Sequence, residues 1–185
     1  MEHEVEIEHH TPVNKRIGIS IAVMAAVLAF TEMAARNADT DVVRETVEAA
    51  DTWAFYQAKS IRSAMLRADA RALQLQTQTK DPSLVAQTIA DWEATATRED
   101  SEPSTGEGRK ELADHARAIE KHRDDRNAAK ESYEYASGAL ELGILLASSA
   151  VVTGLVPLAF IGGAFGAMGM IAGALGWVAP HILGG

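Results

Sequence analysis

Residues 142–185 read LGILLASSAVVTGLVPLAFIGGAFGAMGMIAGALGWVAPHILGG, 44 positions without an Asp, Glu, Lys or Arg. A helix packed on a water-soluble core keeps a charged, wet face. A bilayer removes that face and asks for about 20 apolar residues per crossing. Pro157 divides the stretch, so it reads as two spans, residues 137–157 and 158–180, with a tail at 181–185. The turn between them is very short, which makes the pair a tight antiparallel hairpin. A further uncharged run, residues 17–31, lies near the other end and supplies a third span, residues 17–35.

The charges are concentrated between these apolar ends. Residues 36–136 hold 15 of the 17 basic and 20 of the 26 acidic residues, within a net charge of −9. The acidic balance and the lack of a basic stripe argue against nucleic acid as a partner. There is no cysteine, so disulfides and thiolate metal sites are excluded. The long acidic leader before residue 17, with no clean Ala-x-Ala site after the apolar run, points to an anchor and not a cleaved signal peptide.

The middle of the chain reads as helices. Val47, Ala54, Ala58, Ile61, Met65, Ala68, Ala72 and Leu75 recur at alternating steps of four and three, interrupted by Asp51. That is the period of a coiled-coil seam, and its alanines let a partner helix approach closely. Asp81-Pro82 is a capping residue followed by a first-turn proline and opens a second helix with Val85, Ile89, Trp92 and Ala96 on one face. Residues 98–108 (REDSEPSTGEG) form a loop. A third helix starts near Arg109, and no residue breaks it before Pro157. The expected fold is an all-α membrane protein: a polar tail (1–16), three transmembrane helices, and an extramembrane antiparallel helical coiled-coil domain (36–136) between spans one and two. An odd number of crossings puts the tail and the domain on opposite sides. Lys15 and Arg16 favour a cytoplasmic tail. Arg36, Arg44, Arg123, Arg126 and Lys130 favour a cytoplasmic domain, and the balance leans to the latter.

Four groups of residues are candidates for function. Gly162 and Gly166, and Gly169 and Gly173, recur four apart in span three, where close backbone contact drives helix association in lipid. The plain reading is packing within the hairpin; the sharper one, expected here, is that one face packs the hairpin and another meets a neighbouring copy. Glu32 and Glu141 lie just inside the domain-facing ends of spans one and two; a membrane carboxylate is an ion- or proton-handling candidate, although Glu32 can pair with Arg36 one turn on. His115 and His122 share a stripe but stand seven apart, too far for one metal on one helix. In the tail, a free amine on Met1-Glu2-His3 would offer amine, amides and imidazole in a plane suited to Cu(II) or Ni(II), with His9 and His10 as further donors.

One run stands out: Asp51-Thr52-Trp53-Ala54-Phe55-Tyr56-Gln57-Ala58-Lys59-Ser60-Ile61-Arg62. Trp53, Phe55 and Tyr56 crowd one turn beside Lys59 and Arg62, and they cannot all face a narrow alanine seam. Such aromatics with Arg anchor contacts, either among the middle helices or with another copy or protein. The run resembles the signature of an uncharacterised family of bacterial membrane proteins, domain of unknown function 4337. The resemblance extends over most of the chain: polar tail, one span, helical middle, two spans. It implies a bacterial inner-membrane address, and with no activity assigned to the family it carries over no catalytic role to any residue.

Three functional expectations follow. The first is a non-enzymatic, homo-oligomeric scaffold or accessory subunit of a larger membrane complex, surrounded by lipid. The second is a channel or transporter component using Glu32 and Glu141. The third is a Cu- or Ni-binding accessory protein working through His3, His9 and His10.

Overall fold

The computed structural model describes residues 12–75 and 81–182. These residues form four α-helices and a terminal 3-10 turn, with no strand among them: α1 (Pro12–Gln74), α2 (Pro82–Asp100), α3 (Arg109–Thr153), α4 (Val156–Val178) and the turn Pro180–Ile182. Three helices, α1, α3 and α4, are long and apolar enough to cross a membrane. The polar stretch 37–40 does not interrupt α1. Its Thr40 hydroxyl donates to the Arg36 carbonyl one turn back, which occupies the side chain that would otherwise compete with the helix.

The chain divides into two units, Met1–Val42 with Asp124–Gly185, and Val43–Arg123. In the first unit, α4 runs antiparallel to α3. A Cβ placed on Gly162 would meet the Gly143 oxygen at 2.7 Å, and one on Gly169 would meet the Ala136 oxygen at 2.8 Å. One on Gly176 would meet the Tyr133 ring at 2.9 Å. Residue numbers rise along one helix as they fall along the other. The backbones touch because the glycines have no side chain there. Met24 of α1 fills the notch between Gly143 and Gly166, and with Leu140 and Ala147 it forms the core of this unit.

The turn between α3 and α4 is built by Gly154. Its φ of 73° is the left-handed conformation that closes a helix, and its amide donates to the Ala150 carbonyl at 2.9 Å. Pro157 lies in the first turn of α4, where its missing N–H costs nothing. At the other end of α4 the chain is pinned to α3. The buried Ser132 hydroxyl donates to the Pro180 carbonyl at 3.2 Å, and His181 lies 3.1 Å from Asp125.

The second unit contains the rest of α1, all of α2, and the start of α3. Asp81 caps α2 as its sequence position foretells, accepting from the Ser83 and Leu84 amides at 3.1 Å. The Ser83 hydroxyl and these amides hold the Asp81 carboxyl below the usual range. Helix α2 turns its Val85–Ala96 face inward and continues to Asp100, three residues into the expected loop.

The structure departs from expectation on α1. The stripe from Val47 to Leu75 is exposed over its whole length. The covered face holds Glu45, Ala49, Ser63 and Ala70 instead. Polar partners decide this: Trp53, Lys59 and Ser63 on that side all find hydrogen-bond or charge partners on α2 and α3. A stripe of Val, Ile, Met and Ala offers none.

Candidate functional site

The aromatic–basic run is the fastening strip of the second unit. Trp53 donates its indole N–H to Glu120 at 2.9 Å, joining α1 to α3. Trp53 and Tyr56 meet edge to face with centroids 5.4 Å apart, and the Arg109 guanidinium lies 5.9 Å from the Tyr56 ring. Lys59 and Arg62 converge on Glu99 of α2 at 2.8 and 3.2 Å. The side chains of Lys59 and Glu99 are only 14 and 7 % exposed, so this is a dry ion pair; Arg62 keeps its head in water. Next to it, Ser63 donates to Asp100 at 3.0 Å, and Arg67 and Arg109 pair with the same carboxylate. The family-like run therefore fixes where α2 ends and α3 begins. Phe55 is exposed at the edge of this network, with the Lys59 ammonium 5.4 Å from its ring.

The Asp100 carboxyl is pulled two ways. Burial raises it, but hydrogen bonds from Arg67 and Ser63 and the charges of Arg67 and Arg109 outweigh that and hold it below its ordinary value. A folded-state value below the unfolded one stabilises the fold above the carboxylate range, and the contribution is lost as pH falls through the lowered value. Acid unfolding of the full chain in detergent is expected to show this loss below about pH 4. Asp100→Asn should lower stability at pH 7 and flatten that part of the acid limb. An acid profile unchanged by Asp100→Asn would count against the network.

The two carboxylate candidates, Glu32 and Glu141, separate. Glu32 pairs with Arg36 one turn on, at 2.8 Å. Glu141 lies on the outer face of α3 and lines an open groove of about 550 Å³ with Leu28, Ile144, Ser148, Ser149 and Thr153. The structure does not bring the two carboxylates to a common contact. Of the glycines, Gly162, Gly166, Gly169 and Gly176 face inward, Gly173 makes ordinary contact with Thr31 and Ala136, and Gly163 faces open space.

His115 is exposed on α3. His122 sits 2.6 Å from Glu45, whose side chain is buried with one oxygen unbonded. Sequence reasoning missed this pair because its members are 77 positions apart. It also missed a belt on the first unit, where Lys130 meets Asp39 at 2.6 Å and Arg126 meets Asp41 at 3.6 Å. The hydrogen bond from Lys130 to Asp39 lifts the ammonium pKa above its usual value. No cluster of three metal-ligating side chains occurs among the described residues, and His3, His9 and His10 lie outside them.

Comparison with curated proteins and with solved structures returns no match. A family model does match, over residues 13–179, which takes in all four helices apart from the first residue of α1. The chain belongs to the family described as domain of unknown function DUF4337.

Proposed function

We propose that the protein is a membrane-anchored helical scaffold, an accessory subunit that assembles with copies of itself and contributes packing surface, not catalysis, to a membrane complex. The observation that carries this reading is the outer surface of the first unit. Phe30, Val152, Phe160, Ile171, Trp177 and Val178 all point outward, Val152 and Trp177 at 87 and 84 % exposure. Patches of this extent are unfavourable in water and match a hydrocarbon solvent. Basic residues at the span ends favour a cytoplasmic position for the helical middle, and the family likeness favours a bacterial inner membrane.

The second unit supports the scaffold reading in another way. Its charged side chains fasten helix to helix, as Lys59, Arg62 and Arg109 do, so its rigidity is built in. Membranes from expressing cells are expected to retain the protein through an alkaline wash and release it only with detergent. Native mass spectrometry of the detergent-solubilised protein is expected to give a multimer. Release by the wash, or a monomer at every concentration, would overturn the proposal.

A further inference from the structure

The exposed stripe of α1 has no counterpart to cover it among the described residues, and its spacing names the kind of partner it needs. Val47, Ala54, Ile61, Ala68 and Leu75 are each seven apart; Ala58, Met65 and Ala72 fill the positions between them. Ile61 and Leu75 are 62 and 81 % exposed. A strict seven-residue repeat drifts around a straight helix, so it stays buried only against a second helix that supercoils with it. The partner must carry the same repeat for four heptads. Helix α2 is too short, with 19 residues, and already packs on the opposite face. The outer face of α3 in this unit is charged, with Asp114, Arg117 and Lys121. A second copy of α1 carries the required stripe.

We propose that residues 47–75 pair with the same residues of a second copy as a parallel, in-register coiled coil. This rests on the membrane-scaffold reading: copies inserted the same way send α1 out of the bilayer in one direction and start it at one depth. The flanking positions suit that register. Phe55 would lie over Ala50 of the second copy, Arg62 beside Gln57 and Asp69 beside Ala64, so no like charges meet there. Phe55, exposed and with the Lys59 ammonium beside its ring, thereby gains an apolar contact. Of the core positions only Asp51 would set a charge against its own copy, and it lies one turn from the Val47 end of the stripe.

The area is consistent with a dimer that needs its membrane. The stripe is about 43 Å long and roughly 10 Å wide. That is on the order of 400 Å² of projected face per copy, below the ~800 Å² of a typical stable soluble interface. Confinement in a bilayer raises the effective concentration enough to make up the difference.

The chain has no cysteine, so single-cysteine variants of the full-length protein report directly on the pairing. In native membranes under mild oxidation, Ala54→Cys and Ala68→Cys are each expected to give disulfide-linked dimers, and Arg117→Cys is not. In the Ala68→Cys background, Asp51→Leu should raise the dimer yield several-fold by removing the facing carboxylates. Met65→Glu should reduce it about tenfold; Met65 is exposed, so helical content by circular dichroism should not change. Cross-linking between the 54 and 68 variants when mixed, without either homodimer, would indicate an antiparallel pair and overturn the proposal. A multimer by native mass spectrometry with no cross-link at 54 or 68 would overturn it too, leaving the scaffold reading intact. A monomer would remove both.

Discussion

Gly162→Val is expected to separate α4 from α3 and to destabilise the first unit by about 3 kcal/mol, the upper end of the usual cost of overpacking. The new Cβ would have to share space with the Gly143 oxygen at 2.7 Å and the Ala147 nitrogen at 2.9 Å. Both are backbone atoms of a helix and cannot move alone. In a bilayer, helix pairing depends on this close contact because apolar side chains are as well solvated by lipid as by protein. Gly163→Val is the control. It carries the same side chain and the same change in helix propensity, but nothing lies within 4 Å of its Cβ. Detergent-solubilised protein titrated with SDS and followed by circular dichroism should unfold much earlier for Gly162→Val than for Gly163→Val. Equal midpoints would mean that the helices do not approach as described.

The second large effect is expected at Glu99. Glu99→Gln leaves the Lys59 ammonium in a site that is 14 % exposed, facing a neutral amide in place of a carboxylate. Breaking a buried pair in this way typically costs about 3–5 kcal/mol, because the surviving charge has lost its solvent and its partner together. The loss should appear as faster hydrogen exchange along α2 and a lower urea midpoint for the second unit. The double replacement Lys59→Met with Glu99→Leu removes both charges, and such swaps are often neutral or better. It should recover most of the stability, which separates the cost of an orphaned charge from the value of the pair. Arg62 is a weaker partner, since its side chain is 66 % exposed and water can take over its role.

Much of the fold was legible in the sequence because its determinants are local. Asp81-Pro82 starts α2 through a cap that depends on four consecutive residues, and Pro157 marks the beginning of α4 for a similar reason. The apolar lengths near residues 17–35 and 137–180 needed only counting. What the sequence did not disclose was which surface each helix would use. On α1 the regular apolar stripe looked like the seam for α2 and α3. The covered side was set instead by Trp53 finding Glu120, Lys59 finding Glu99 and Ser63 finding Asp100. Those partners are 67, 40 and 37 positions away, beyond any periodicity. The same holds for the glycines of α4. Spacing alone puts Gly169 and Gly173 on equal terms; only the path of α3 makes one a backbone contact and the other an ordinary side-chain neighbour. The aromatic run was read correctly as crowded, yet dividing it between an inward Trp53 and Tyr56 and an outward Phe55 required the structure.

The connection at Gly154 bears on how the chain is made. Thr153 ends one helix and Val156 begins the next, so two residues are all that would cross to the far surface between spans two and three. Neither carries a charge, and no folded segment has to be carried across with them. The two helices would therefore enter a bilayer together, as a preformed pair. A ribosome stalled inside α4 would leave α3 without the glycine face that completes it.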